Sequence, residues 1–191
     1  EFKSRIGKEI LERYGMTETN IISSNPIEGK RKPSSVGLCL QGQKLRIVDN
    51  AKKPLNVEEI GDIQVSGPNV FKGYWNLPDK TYEEFTSDHY FETGDKGYFD
   101  EDGYLFIVGR NKDMIITGGL NVYPKEVETY IDEIDGVNES AVIGLKDDDF
   151  GEKVVAIVVL DEKSDLKEAE IINLAKESIA GFKVPKEVIF I

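Results

Sequence analysis

Tyr14-Gly15-Met16-Thr17-Glu18-Thr19 sets a hydroxyl beside a carboxylate, directly after a glycine. Thr17 is equipped to hydrogen-bond a phosphate oxygen, and Glu18 to hold a Mg2+ ion that neutralises it. A helix end running into a polar turn accounts for the same residues, and taken alone is the simpler reading. Thr93-Gly94-Asp95 presents a carboxylate on a tight glycine turn at the end of a strand. From there it can accept hydrogen bonds from both hydroxyls of a ribose, although a plain β-turn aspartate competes with that reading. In Gly109-Arg110-Asn111-Lys112-Asp113 the planar fork of Arg110 suits ribose and phosphate. The same polar stretch suits a hinge, or simply a basic surface linker. Gly118-Gly119 opens a fourth cluster, either a hairpin turn or a place where a ligand passes close to the backbone.

Other features carry less. Asp147-Asp148-Asp149 lacks the ligand alternation and terminal Glu of a calcium loop and reads as a solvated turn. His89 is the only histidine, which leaves no Ser/His or Cys/His arrangement, and it reads as a surface residue before a strand. Cys39 is the only cysteine, excluding an intramolecular disulfide and a multi-cysteine metal cage. It reads as a small, half-buried apolar residue.

The elements that must position these clusters follow from hydrophobic periodicity and turn residues. Ile6, Ile10 and Leu11 have helical spacing, so an amphipathic helix is expected over residues 4–13, with Gly15 as its stop. Residues 23–35 read as loop. Strands are expected at Lys44–Val48, Gly61–Ser66, Tyr90-Phe91 and Tyr104–Val108, with a short helix from Pro78 to Phe85 that turns Tyr82 and Phe85 inward. Strands this short and close together predict a small distorted barrel or sandwich. After residues 109–113 the pattern changes. A hairpin around Gly118-Gly119 leads to a helix opened by Pro124, with Val127, Ile131 and Ile134 on one face. Ser140–Leu145 and Val154–Leu160 read as strands buried on both faces. Asp165 and Glu168 have capping-box spacing for a last helix carrying Ile171, Leu174, Ala175 and Ile179, and Val188–Ile191 is a final strand. The fold class is α+β: a β-rich part over 1–109, a hinge at 110–113, and a small α+β sandwich over 114–191.

Composition bounds the partners. With 39% hydrophobic and 31% charged residues, the 191-residue chain is an ordinary globular sequence. Its formal charge of −12 argues against a nucleic-acid partner. No apolar run approaches the roughly 20 residues of a membrane span. Glu1-Phe2-Lys3-Ser4-Arg5 shows no secretion signal and reads as the middle of a protein, so a cytoplasmic or organelle-matrix location is expected. No internal repeat or low-complexity segment is visible.

In this order, the clusters resemble the core motifs of the AMP-forming acyl-CoA synthetase, luciferase and peptide-synthetase adenylation superfamily. The resemblance rests on Tyr14–Glu18, on Gly61-Asp62 through Gly67-Pro68 followed by Gly73-Tyr74-Trp75, on Thr93-Gly94-Asp95, and on Gly109 through Gly119 followed by Pro124–Glu128. It implies the C-terminal part of a large adenylate-forming domain followed by a small C-terminal domain. It also implies ATP/AMP, Mg2+ and coenzyme A as cofactors, with a carboxylate as substrate. Carried over, Tyr14 and Gly15 belong beside the adenine, Thr17 on the α-phosphate, Glu18 on Mg2+, and Asp95 on the ribose with Arg110 next to it. Lys112 matches the hinge of the family, and Gly119 the glycine lining its pantetheine tunnel. The phosphate loop of the family has no counterpart here, and its adenylation lysine belongs beyond Phe182–Val188, so a fragment unable to form the adenylate by itself is expected. Flanking residues, among them Ser24-Asn25-Pro26 and Leu120-Asn121-Val122-Tyr123, are most similar to malonyl-CoA synthetases. A medium-chain or aryl acyl-CoA synthetase and a non-catalytic nucleotide-binding module are the alternatives.

Overall fold

A helix over residues 4–13 would need something to bury its apolar stripe against, and among the described residues it finds nothing. The computed structural model describes residues 5–191; there Arg5 and Ile6 are helical, Lys8–Glu12 are irregular, and residue 4 lies outside the described part. Ile6 and Ile10 remain more than half exposed. The chain instead enters a hairpin of β1 (Arg13–Met16) and β2 (Asn20–Ser24), with its register shifting between Tyr14 and Gly15. A Cβ on Gly15 would lie 2.1 Å from the carbonyl oxygen of Asn20. Gly15 therefore permits a close strand approach at a bulge and stops no helix.

β3 (Leu38–Cys39) adds to β2, and a second sheet runs in chain order through β4 (Lys44–Val48), β5 (Gly61–Ser66), β6 (Phe91–Phe99) and β7 (Leu105–Arg110). A closed barrel does not form. The two sheets stay open and meet at an isolated bridge between Gly37 and Leu105. Tyr14, Ile22, Ile47, Ile63, Val65, Phe91 and Leu105 make the core between them. Gln64 hydrogen-bonds Arg46 (2.6 Å) and Glu92 (2.7 Å), while Asp62 pairs with Lys96 at 2.9 Å. These pairs sit at facing cross-strand positions of β4, β5 and β6, where side chains stand close enough to interact.

Helix α1 (Pro78–Glu83) buries no residue of its own, and Tyr82 points outward with 84% of its surface exposed, against expectation. Phe85, just past the helix, does turn inward onto Phe71 and Phe91, with ring centroids 5.9 and 5.4 Å away.

The second compact unit, Gly109–Ile191, follows one that ends at Val108. It contains β8 (Ile115–Thr117), β9 (Leu120–Val122), α2 (Pro124–Asp132), β10 (Val137–Asp147), β11 (Gly151–Leu160), α3 (Glu168–Ser178) and β12 (Glu187–Phe190). The sheet order is β10-β11-β8-β9, with β12 parallel to β11. Val154, Ala156 and Val158 alternate onto one face of β11 and join Val142, Val188, Val127, Ile131 and Ile171 in a single core. β10 is an edge strand, and Ile143 and Leu145 are each 38% exposed, so it is not the doubly buried strand its apolar run suggests. The last helix also starts later than the expected Asp165–Glu168 box: Lys167 is the N-cap, and Glu170 Oε2 accepts its backbone N–H at 2.8 Å. Among the described residues no helix is long and apolar enough to cross a membrane.

Candidate functional site

The β1–β2 hairpin carries Tyr14 in its first strand and Thr17-Glu18-Thr19 in its turn. Tyr14 keeps 8% of its surface exposed and donates its hydroxyl to Asp95 Oδ2 at 2.5 Å, joining residues 81 apart in sequence. Asp95 lies within β6 rather than at a strand end. The strand is bent there: Gly94 takes φ +75°, and the Thr93 hydroxyl bonds both the Ile63 carbonyl (2.9 Å) and the Asp95 N–H (3.2 Å). The hydroxyl thus replaces ladder bonds that the bend removes. A Cβ built on Gly94 would meet nothing within 4 Å, so Gly94 serves the positive φ of the bend rather than a close approach. Tyr14 and Asp95, taken from separate motifs, are in direct contact.

Thr17 is exposed in the hairpin turn and Glu18 half-buried beside it. Thr19 is fully buried, and its N–H closes the turn on the Met16 carbonyl at 3.1 Å. Three bonds from residues 69–74 brace this turn. Asn69 Nδ2 donates to the Thr19 carbonyl (2.7 Å), the Phe71 N–H to the Glu18 carbonyl (2.8 Å), and the Tyr74 hydroxyl to Glu18 Oε1 (3.1 Å). Burial, followed by the negative charge of Glu18, pushes the Tyr74 phenol up to about 12. It therefore stays protonated, and a donor, at neutral pH. Residue-type reasoning overlooked Asn69, Phe71 and Tyr74. The only signal for them was Gly73-Tyr74 in the second motif, which carried no role of its own.

Arg110, Lys112 and Gly119 belong to the second unit. Arg110 ends β7 and is exposed, and Lys112 is exposed in a single 3-10 turn, Asn111–Asp113. Gly118 and Gly119 turn the β8–β9 hairpin at φ +57° and +79°, the conformation a two-residue hairpin loop requires. The Gly118 N–H bonds the Phe150 carbonyl at 2.8 Å, and open space surrounds the Cβ position of Gly119. In the next turn, Asp147 Oδ1 accepts the N–H groups of Asp149 and Phe150, which makes it a turn-capping residue. Cys39 is half-buried, and burial raises its thiol pKa.

The family model described as AMP-binding enzyme matches residues 1–75, and that described as AMP-binding enzyme C-terminal domain matches residues 126–191. A malonate–CoA ligase of Arabidopsis thaliana is 38% identical over 99% of this chain and 32% of its own length. A long-chain-fatty-acid–CoA ligase of Salmonella typhimurium is likewise 38% identical, over 96% of this chain and 33% of its own. The crystal structure of ATP-bound MatB from Rhodopseudomonas palustris is 51% identical, with a TM-score of 0.97 over 100% of this chain and 38% of that one. The chain thus spans about a third of the length of the curated relatives it matches. With both family models matched in order, over residues 1–75 and 126–191, the chain belongs to the AMP-binding enzyme family.

Proposed function

We propose that this chain is part of an AMP-forming acid–CoA ligase, which activates a carboxylate, malonate by preference, as an acyl-adenylate and passes it to coenzyme A. The observation that carries the reading is the meeting of Tyr14 and Asp95 beside the Thr17-Glu18 turn. It gathers a ribose-binding carboxylate, a phosphate-binding hydroxyl and a metal-binding carboxylate onto one hairpin and the neighbouring strand. In the first half-reaction a carboxylate oxygen attacks the α-phosphorus of ATP and pyrophosphate leaves. In the second the thiol of coenzyme A attacks the acyl carbon and AMP leaves.

The residues of this chain supply binding and orientation. Asp95 holds the ribose, Thr17 donates to an α-phosphate oxygen, and Arg110 meets ribose or phosphate with its fork. Lys112 sits in a short polar turn suited to a backbone pivot, and Gly119 leaves room for a thin substrate arm to pass. Glu18 fits magnesium: Oε1 is held by Tyr74, and Oε2 has no partner among the described residues. No group of three or more His, Cys, Asp or Glu forms a metal cage among the described residues. Magnesium is commonly held by one or two carboxylates with water and substrate phosphates. When bound, it neutralises charge developing on the triphosphate.

Malonate is supported by the Arabidopsis relative and by the flanking residues shared with malonyl-CoA synthetases. A second reading, a long-chain acid, is favoured by the equal identity of the Salmonella relative. The test is to express the complete open reading frame encoding this chain and measure pyrophosphate release with ATP, coenzyme A and a panel of acids. Malonate is expected to give the highest kcat/KM. A higher value for a long-chain or aryl acid overturns the substrate assignment, and no release with any acid overturns the ligase reading.

A further inference from the structure

We propose that Tyr74 is a positioning residue for the metal-bound nucleotide, fixing the Glu18 carboxylate so that its second oxygen is presented to the ion. The inference rests on reading Glu18 as the magnesium carboxylate. A glutamate at a hairpin turn has three side-chain torsions to immobilise, and an ion that binds through one oxygen gains from finding them already set. The Tyr74 hydroxyl, 3.1 Å from Oε1, supplies that restraint. Tyr74 can supply it because the tyrosine is itself held on several sides. Phe71 packs edge-on against its ring at 4.8 Å, Lys80 Nζ lies 4.7 Å from the ring centroid, and its backbone N–H donates to Thr81 Oγ1 at 2.9 Å.

The restraint is also coupled to the glutamate backbone. Phe71, three residues before Tyr74, binds the Glu18 carbonyl, so one segment grips both ends of the same residue. Gly73 is part of the fit: a Cβ there would lie 2.6 Å from Thr81 Cγ2, the residue that receives the Tyr74 N–H. A tyrosine needed only for packing would leave its hydroxyl to solvent or to a backbone carbonyl. This one spends it on the single carboxylate of the turn. Hydrogen bonds of this kind to metal-held carboxylates tune affinity, and their loss commonly costs about tenfold or more.

The experiment uses the product of the full open reading frame and its Tyr74→Phe and Glu18→Gln variants, with ATP binding followed by calorimetry across a Mg2+ titration and in EDTA. Without an acid substrate there is no turnover, so the readout is binding rather than activity. Tyr74→Phe keeps the ring and its packing. It is expected to raise the Mg2+ concentration needed for half-maximal ATP affinity about tenfold, leaving metal-free ATP binding unchanged. Equal weakening with and without metal makes Tyr74 a packing residue and overturns the proposal. Unchanged metal dependence in Tyr74→Phe alongside a raised requirement in Glu18→Gln overturns the role of Tyr74 alone. Parental metal dependence in Glu18→Gln overturns the assignment of Glu18, and the present inference with it.

Discussion

The Tyr14–Asp95 hydrogen bond joins residues 81 apart in sequence at 2.5 Å, in a core where the tyrosine keeps 8% and the aspartate 5% of its surface. Replacing Tyr14 by Phe preserves the ring among Ile22, Ile63 and Phe91, so no cavity opens and the loss is that of a donor to a buried carboxylate. A hydrogen bond to a charged group contributes about 1.5–3 kcal/mol. Removing one partner leaves the other desolvated, which places Tyr14→Phe toward the upper end of that range. Asp95→Asn keeps an acceptor of nearly the same shape but without charge, and a neutral bond contributes only about 0.5–1.5 kcal/mol. The double variant should therefore cost about 1–2 kcal/mol less than the two single variants added together. The assay is urea unfolding of all four proteins, followed through a probe in the first unit, because two units can unfold in separate transitions. Additivity within about 0.5 kcal/mol would mean that the pair contributes no coupling, and the argument that the bond fastens β1 to β6 fails.

Two further substitutions test other parts of the first unit. Gly37 has φ +88°, and a Cβ there would lie 1.9 Å from the Ser24 carbonyl carbon and 2.0 Å from the Asn25 nitrogen. Since backbone cannot step aside as a side chain can, Gly37→Ala should destabilise the unit by about 3 kcal/mol or more; a urea midpoint near that of the parent would refute the close approach of β2. Asp88 is gripped by both terminal nitrogens of Arg46, which with the Thr86 hydroxyl holds its pKa down at about 2. A depressed carboxyl pKa stabilises the fold above its ordinary value near 4 and loses that stabilisation as pH falls through the folded value. Asp88→Asn should flatten the decline of the thermal midpoint between about pH 4 and pH 2, by a modest amount because the carboxylate is exposed. An unchanged slope would count against the pairing.

Much of the second unit was legible in sequence, because its helices and strands obey local rules. Pro124 opens α2, Val127 and Ile131 are buried at four-residue spacing, and the two glycines of the β8–β9 turn sit where a hairpin loop requires them. The first unit was harder to read for reasons that are not local. Ile6 and Ile10 have helical spacing but no partner surface among the described residues, and periodicity says nothing about whether a partner exists. β1 is short, interrupted by a bulge at Gly15, and stabilised by Asp95, which no window around residue 14 contains. Tyr82 and Phe85 have nearly the same propensity, and the aromatic cluster of Phe71 and Phe91 alone decides which of them turns inward. The site residues were recognisable as motifs, but their joining was not. Neither the Tyr14–Asp95 contact nor the Tyr74–Glu18 contact follows from any spacing within a motif.

Those two contacts share a physical logic. The Thr17-Glu18-Thr19 turn is short and polar, and a two-stranded hairpin of that size is marginal by itself in water. What holds the hairpin is a pair of side-chain bonds to residues later in the chain, from Tyr14 to β6 and from the segment before α1 to Glu18, reinforced by the Phe71 N–H and the Asn69 side-chain amide, which bond backbone carbonyls of the turn. Each bond ends on a residue that the proposed chemistry uses: Asp95 for ribose, Glu18 for the ion. Stability of the hairpin and orientation of the site are then set by the same few hydroxyls. A substitution that removes one of these hydroxyls should therefore disturb both, the stability of the hairpin and the orientation of the carboxylate it holds.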